Sequence, residues 1–281
     1  MSSQVNNLSG ARRTGSWRGF EGVYANLGSP LLPSVEDRHF LEYAICEWVA
    51  AHPGETLQAL LLGVTPGLAG ISWPQRSFLL AVDRSESMIA SVWPGNVPSI
   101  RGAIRADWLA LPVRDRSLDL VAGDGSLIAL RYPDGYRTLA RAIRSVLRPG
   151  GVLVLRAFVR PPVAEDPGDV IAELPRHASF HQFKLRLLMA LQASPEEGVQ
   201  LDQAHRYWTA CNIDRAALAL ETGWRREEID TMDRYRGLDD VYTFPTIAEL
   251  LALTAEFFAA TSIFVPSYPL GECCPSLVMQ P

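Results

Sequence analysis

Short apolar segments alternate with helical patterns between residues 56 and 158, and this rhythm constrains the fold more than any other feature of the sequence. Apolar runs of this length, bounded by turn residues, are typical of strands buried on both faces of a parallel sheet. The helical pattern over residues 134–147 ends in Arg148-Pro149-Gly150-Gly151, a typical helix stop. The sequence therefore predicts an α/β fold, with strands over residues 58–62, 77–82, 100–106, 118–122 and 152–158.

The rhythm lapses after residue 158 and returns near residue 246. Residues 161–243 read as helical throughout, most clearly over 178–192 and 201–222, which predicts a helical lid inserted between the fifth strand and the last helix. A helix over 246–256 and strands over 257–265 and 276–280 complete the core. We therefore predict four parts, namely a disordered tail (1–16), an N-terminal helical cap with a helix over 35–51 (17–55), the core (56–160 and 244–281) and the lid (161–243).

Composition excludes several classes of protein. The 281 residues carry a formal charge of −5, and Lys184 is the single lysine, so the chain lacks the basic footprint that a duplex nucleic acid requires. The four cysteines are too few and too scattered for a disulfide scaffold. No apolar run approaches the ~18 residues that span a membrane, and no signal peptide is apparent, so we expect a cytoplasmic protein with no membrane partner.

Polar residues and glycines follow the predicted strands, at the edge where open α/β sheets bind ligands. Gly63 opens a turn after the first strand, but Thr65 and Leu68 occupy places where a dinucleotide fingerprint needs glycine. Asp83 follows the second strand and Asp107 the third. A carboxylate at each place could instead cap a helix. Their joint order and spacing favour a nucleoside site, with Asp83 accepting hydrogen bonds from the ribose hydroxyls.

Four segments together resemble the class I S-adenosylmethionine-dependent methyltransferases, especially the small-molecule branch. They are residues 59–67, 82–89, 106–121 and 147–155, and the terminal strand pair also fits. The resemblance implies a Rossmann-like seven-stranded sheet with helices on both faces, S-adenosylmethionine as cofactor and S-adenosylhomocysteine as product. The cofactor-binding residues that it implies are Gly63, Thr65, Gly67, Asp83, Arg84, Asp107, Trp108, Asp124 and Tyr24.

The first motif departs from the family pattern at two positions. The family usually has an acidic residue where Leu61 stands and a glycine where Thr65 stands. We infer that the methionine end of the cofactor is held differently, or that the cofactor binds weakly. Aromatic residues at Trp17, Phe20 and Tyr24 precede the first helix, where an aromatic segment in similar proteins folds over the cofactor; a hydrophobic staple is an equal alternative.

Candidate catalytic residues are Asp124, His177 and His181. Asp124 lies between two glycines after the fourth strand and could orient or deprotonate a substrate. The two histidines stand four residues apart in the lid, and either could act as a base near neutral pH, although packing is the commoner role of a single histidine. They lack a third ligand in a recognisable pattern, so we predict no metal site.

Three functions remain open at this point. The first is methyl transfer to a small molecule, at oxygen, nitrogen or carbon. The second is a regulatory protein that binds the cofactor without methylating. The third is an enzyme that uses the cofactor for another displacement, such as a cyclisation. The sequence predicts neither the substrate nor the oligomeric state.

Overall fold

The computed structural model describes residues 24–281. The predicted tail over 1–16, and Trp17 and Phe20, lie outside the described residues. Within them, the strands are β1 (Leu57–Leu62), β2 (Ser77–Asp83), β3 (Arg101–Arg105), β4 (Leu118–Asp124), β5 (Leu147–Arg156), β6 (Val199–Gln200), β7 (Val241–Tyr242), β8 (Ala259–Phe264) and β9 (Ser276–Gln280).

Seven of these strands form one sheet in the order β3-β2-β1-β4-β5-β9-β8. β1 to β5 are mutually parallel, whereas β9 runs antiparallel to both of its neighbours. The predicted α/β sheet of seven strands is confirmed, and each predicted strand overlaps an observed one. β5 begins five residues earlier than predicted, because Leu147 already pairs with Leu118 ahead of an irregularity in the register.

Helices cover both faces of the sheet, as predicted. In chain order they are α1 (Val35–Ala51), α2 (Pro66–Ala69), α3 (Glu86–Val92), α4 (Asp134–Val146), α5 (Pro167–Ala172), α6 (Phe180–Leu191), α7 (Leu201–Ala210), α8 (Arg215–Thr222), α9 (Arg226–Ile229) and α10 (Ile247–Thr254). Residues of α1 to α3 share an apolar core with Leu61 on one face. Residues of α4 and α10 share the other core with Leu60. β3 is linked to β4 through only a short 3-10 turn, Trp108–Ala110.

Helix α1 has the predicted bounds, and its sequence explains them. Ser34 accepts a hydrogen bond from the backbone N–H of Asp37, while the Asp37 carboxylate accepts one from the N–H of Ser34. This reciprocal cap satisfies two of the N–H groups that a helix start leaves free. The buried side of the helix, with Leu41, Ile45 and Trp48, packs on the sheet.

The region between residues 160 and 244, called the lid here, was expected to be helical throughout, but it is not. The predicted helix over 201–222 is two helices, because Asn212 adopts a positive φ of 49° and Asp214 caps a new helix. Two short strands, β6 and β7, pair with each other inside the lid. The lid has its own apolar core, which includes Ile128 and Phe158, the residues that follow β4 and β5. It therefore packs on the carboxyl end of the sheet.

Among residues 24–281, no helix is both long and apolar enough to cross a membrane.

Lys184, on α6, is fully buried in the lid core. Its Nζ donates to the backbone oxygen of Thr231 at 3.3 Å and to the Thr231 hydroxyl at 3.4 Å. It lies 4.1 Å from the centre of the Tyr235 ring. Burial lowers the pKa of Lys184 to about 7. Long hydrogen bonds and a ring face therefore replace the hydration of this ammonium only in part.

We expect Lys184→Met to raise the free energy of unfolding at about pH 7, because it removes a poorly compensated amine. Between about pH 7 and pH 8.5, the free energy of unfolding of the wild type should rise relative to that of the variant by up to ~1.4 kcal/mol per pH unit. Stability rises with pH because the lysine of the unfolded chain, with a pKa of 10.5, keeps its proton, whereas the lysine of the folded protein loses its proton above about pH 7. Urea unfolding at both pH values measures the difference.

Lys184→Arg serves as the matched control. An arginine cannot deprotonate, so this variant should be less stable than the wild type at both pH values. A wild type and a Lys184→Met variant whose stabilities run parallel with pH would contradict the argument.

Candidate functional site

The ends of β1 and β2 meet around Gly63, at a place that we call the crevice. Gly63 has a φ of 101°, which favours glycine, and its N–H donates to the carbonyl of Val82 at 2.8 Å. A Cβ built on Gly63 would lie 3.8 Å from Asp83 Oδ2 and 3.9 Å from Thr65 Oγ1. The structure thus brings three of the predicted cofactor-binding residues to one point.

The Asp83 carboxylate is half-buried at the edge of this crevice. Its Oδ1 accepts a hydrogen bond from the N–H of Ser85 at 2.8 Å. Burial raises the pKa of Asp83, and the backbone N–H groups of Ser85 and Val64 oppose the rise. A partly desolvated carboxylate of this kind gains from any further hydrogen-bond donor that a ligand offers.

Asp107 and Arg84 form the rim above β2 and β3. Asp107 Oδ1 accepts from the N–H of Leu109 at 3.0 Å, so the capping role that we weighed for this residue is present. Its other oxygen lies 3.9 Å from Arg84 Nη1, and both side chains are 38% exposed. The pair is accessible and leaves carboxylate lone pairs free for a ligand donor.

Trp108 extends across the crevice. Its indole Nε1 donates to the carbonyl of Val82 at 2.5 Å, and Cζ2 would lie 3.6 Å from a Cβ on Gly63. The indole therefore stands beside Gly63 and Asp83 on the inner side of the crevice, and the side chain is only partly buried.

A second region is covered by the segment of residues 24–34, which we call the strap. Tyr24 is its first residue, and Gly67 lies beneath it. A Cβ on Gly67 would lie 3.0 Å from Pro33 Cγ, so the strap packs directly on the glycine turn. Tyr24 is close enough to Asp124 and Arg156 to sense both charges. Burial raises the pKa of Tyr24 most, the charge of Asp124 raises it further, and the charge of Arg156 opposes the rise.

Asp124, the predicted catalytic base or orienting residue, is engaged in a buried ion pair. Arg156, opposite Asp124 in the register of β4 and β5, donates through Nε to Asp124 Oδ1 at 2.5 Å, and the two side chains are 4% and 5% exposed. Burial raises the pKa of Asp124, and the Arg156 guanidinium opposes this rise. Gly125 has a φ of 59°, which favours glycine. A Cβ at this position would lie only 2.6 Å from the Phe158 ring, so the turn leaves no room for a side chain.

Arg156 also joins the strap and α1 to the sheet. Its Nη1 donates to the carbonyl of Pro30 at 2.8 Å and to the hydroxyl of Tyr268 at 3.1 Å, and lies 3.6 Å from Asp37 Oδ2. Burial would lower the pKa of Arg156, but Asp124 and Asp37 raise it above its ordinary value, so the guanidinium stays charged. Nη2 is buried without a hydrogen-bond partner among the described residues. A small cavity beside these three charged groups extends to Leu68 on α2.

Arg156 was not among the site residues predicted from the sequence. The available signal was a charged residue ending the apolar run of residues 152–155, one strand away from the end of β4. Charged side chains are almost never fully buried unless they are paired, so this position should have suggested a partner for Asp124.

His177 and His181 are both buried in the lid, and the described residues provide no hydrogen bond or ion pair from either to Asp124. The His181 ring packs against Gly28 of the strap, since a Cβ there would lie 3.0 Å from its Cδ2. Burial and the nearby Lys184 lower the pKa of His181 to about 4, and burial also lowers that of His177. Residues 24–281 contain no group of three His, Cys, Asp or Glu side chains that could hold a metal ion.

Solved structures share this architecture. Loganic acid methyltransferase with S-adenosylhomocysteine matches with a TM-score of 0.53 at 8% identity, over 86% of this chain and 91% of that one. The chain has the fold of the class I S-adenosylmethionine-dependent methyltransferases. In that fold β9 is the antiparallel strand between β5 and β8, which a doubly wound dinucleotide fold of six parallel strands lacks.

Two further solved structures are also similar to the chain. A putative zinc-dependent alcohol dehydrogenase from Rhodobacter sphaeroides matches with a TM-score of 0.59 at 12% identity, over 94% of this chain and 96% of that one. The N-methyltransferase NodS from Bradyrhizobium japonicum, in complex with S-adenosylhomocysteine, has a TM-score of 0.48 at 11% identity, over 93% and 97%. No protein-family model and no curated sequence matches. At these identities, the methyltransferase fold is shown and the activity is not.

We expect Arg156→Met to lower the free energy of unfolding by about 3–5 kcal/mol, because it leaves two buried carboxylates without their cation. Asp124→Asn should cost less, since Arg156 keeps Asp37 and an amide oxygen can still accept its hydrogen bond. Urea unfolding measures both. Arg114→Met, at an exposed arginine ahead of β4, is the matched control and should change stability by no more than about 0.5 kcal/mol. A larger loss for Asp124→Asn than for Arg156→Met would show that Asp124, not Arg156, carries the network.

Proposed function

We propose that the chain is an S-adenosylmethionine-dependent methyltransferase that acts on a small molecule. The observation that carries the proposal is the convergence of Gly63 and Asp83 at one crevice, on the carboxyl edge of a sheet with the methyltransferase fold. The solved structures of loganic acid methyltransferase and NodS, both described with S-adenosylhomocysteine, support the choice of cofactor by analogy alone.

The residues of the crevice fit a nucleoside in two respects. Gly63 places backbone, without a side chain, beside the Asp83 carboxylate, so that a sugar can approach closely. Asp83 Oδ2 faces the same point and could accept from the hydroxyls of a ribose. Asp107 would accept from an exocyclic amine at the rim, with Arg84 beside it.

When bound, S-adenosylmethionine supplies a methyl group on an already activated sulfonium. The protein is then left to align the acceptor and to exclude water. Asp124 and Arg156 suit the first task, because their buried pair presents fixed hydrogen-bonding groups at the ends of β4 and β5. The strap and the lid suit the second, since Ser179 of the lid donates to the carbonyl of Ser29 and holds the two together.

The lid supports a small acceptor rather than a macromolecule. Its core includes Phe158, which follows β5, and the backbone N–H of Arg160 donates to the carbonyl of Pro245 where the chain returns. The insertion therefore begins and ends at one place and covers the carboxyl edge. A nucleic acid or protein acceptor would require that edge to be open.

A second candidate is a protein of the same fold that binds the cofactor without transferring the methyl group. Two observations favour it. Leu61, where the family usually has an acid, is buried in an apolar core, and Asp124 is held by Arg156 rather than free to act as a base. Mass spectrometry of a candidate acceptor after incubation with S-adenosylmethionine separates the two, because only methyl transfer adds a methyl group and releases S-adenosylhomocysteine.

The direct test is the affinity of Asp83→Ala for S-adenosylmethionine by calorimetry. The lost hydrogen bonds to a carboxylate are worth ~1.5–3 kcal/mol each, so binding should weaken at least about tenfold. Asp83→Asn keeps one acceptor and should lose less.

Asp134→Ala is the matched control, since that carboxylate is 94% exposed on α4 and its nearest cation is Arg137, 3.9 Å away on the same helix. It should bind like the wild type. Wild-type affinity in a folded Asp83→Ala variant would overturn the nucleoside site, and with it the proposed cofactor.

A further inference from the structure

The place of the Trp108 indole conflicts with a freely open nucleoside crevice. Cζ2 of the indole and Oδ2 of Asp83 both lie within 4 Å of the same point, the position of a Cβ on Gly63. A ribose hydrogen-bonded to Asp83 and close to the Gly63 backbone needs that same space. Cζ2 of the indole therefore borders the space that such a ribose would enter.

The indole also packs against the apolar core beneath α4 and α10, but its hydrogen bond can be broken without leaving a backbone acceptor unpaired. Trp108 Nε1 donates to the carbonyl of Val82, which already accepts the N–H of Gly63 at 2.8 Å. When the indole leaves, this carbonyl keeps one partner, so no buried acceptor is orphaned. The indole N–H can bond to water instead, because the side chain is only partly buried.

The backbone around Trp108 also permits the movement. Trp108 lies on a 3-10 turn of three residues, Trp108–Ala110, and Asp107 caps that turn through the N–H of Leu109. The cap does not involve the indole. A rotation of the Trp108 side chain thus leaves both the turn and the Asp107 carboxylate in place.

We propose that Trp108 determines the affinity of the crevice by occupying it in the free protein, so that a nucleoside binds only after the indole has turned away. The proposal rests on the proposed function and changes the expected role of Trp108 from a residue that binds the cofactor to one that competes with it. When the competent conformation is a fraction of the population, the measured dissociation constant rises by the inverse of that fraction. Removing the indole should therefore tighten binding.

The test is calorimetric titration of S-adenosylhomocysteine into the wild type and into Trp108→Ala and Trp108→Phe. Trp108→Ala should bind at least about fivefold more tightly, the scale of one net hydrogen bond. Trp108→Phe should fall between the two, since it keeps an aromatic ring but loses the bond to Val82. Equal or weaker binding by a folded Trp108→Ala, with the wild type still binding, would overturn the proposal and leave the proposed function standing. If neither protein binds, the proposed function fails and this proposal fails with it.

Tryptophan fluorescence provides a second measurement that does not depend on affinity. In the wild type, S-adenosylhomocysteine should raise the fraction of emission that acrylamide quenches, because the indole turns toward solvent. Trp108→Phe should lose this change, whereas Trp224→Phe, which removes a partly buried indole of the lid, should keep it. A ligand-induced change that survives in Trp108→Phe would show that Trp108 stays where it is.

Discussion

The guanidinium of Arg156 holds together the segments that meet at the carboxyl edge of the sheet. It ends β5, pairs with Asp124 at the end of β4, and donates to Pro30 of the strap and Tyr268 of the link between β8 and β9. Each partner comes from a different segment, so one fixed plane of donors sets their mutual positions. Burying this charge is costly, and the cost is offset because two carboxylates and two neutral oxygens surround it. The same group lies beside the cavity that reaches α2, so the ion pair also shapes that cavity.

A second constraint acts on the glycine turn after β1. The turn is held from the sheet side by the carbonyl of Val82, which receives the N–H of Gly63, and from the outside by Pro33 of the strap, which packs on Gly67. Thr65 begins α2 without making a side-chain cap, and its hydroxyl stays in the crevice. The turn is thus fixed before any ligand arrives. Pre-organisation of this kind lowers the entropy that binding costs, while the indole and the threonine reduce the space available.

The sequence predicted the sheet well and the side-chain partnerships poorly. The strands were predictable because an apolar run buried on two faces is a local signal, and the places of Gly63 and Asp83 follow from the strand ends. The break at Asn212 was less visible, because the residues on both sides keep a helical pattern while a single positive φ changes the direction of the chain. The Asp124–Arg156 pair and the direction of the Trp108 indole depend on segments distant in sequence, so no pattern along the chain reveals them.

The lid is joined to the core by buried hydrogen bonds at the point where the chain returns. Its apolar core is distinct from the two cores of the sheet, and its return is fixed by two buried contacts. The Gln192 side chain exchanges two hydrogen bonds with the backbone of Phe244, at 2.7 and 2.8 Å, and Tyr136 bonds to the Thr243 hydroxyl at 3.0 Å. The buried Lys184 and His181 lie on α6 inside the lid, whereas the residues proposed to hold the nucleoside stand at the ends of β1 to β3, so the lid can only enclose what the crevice binds.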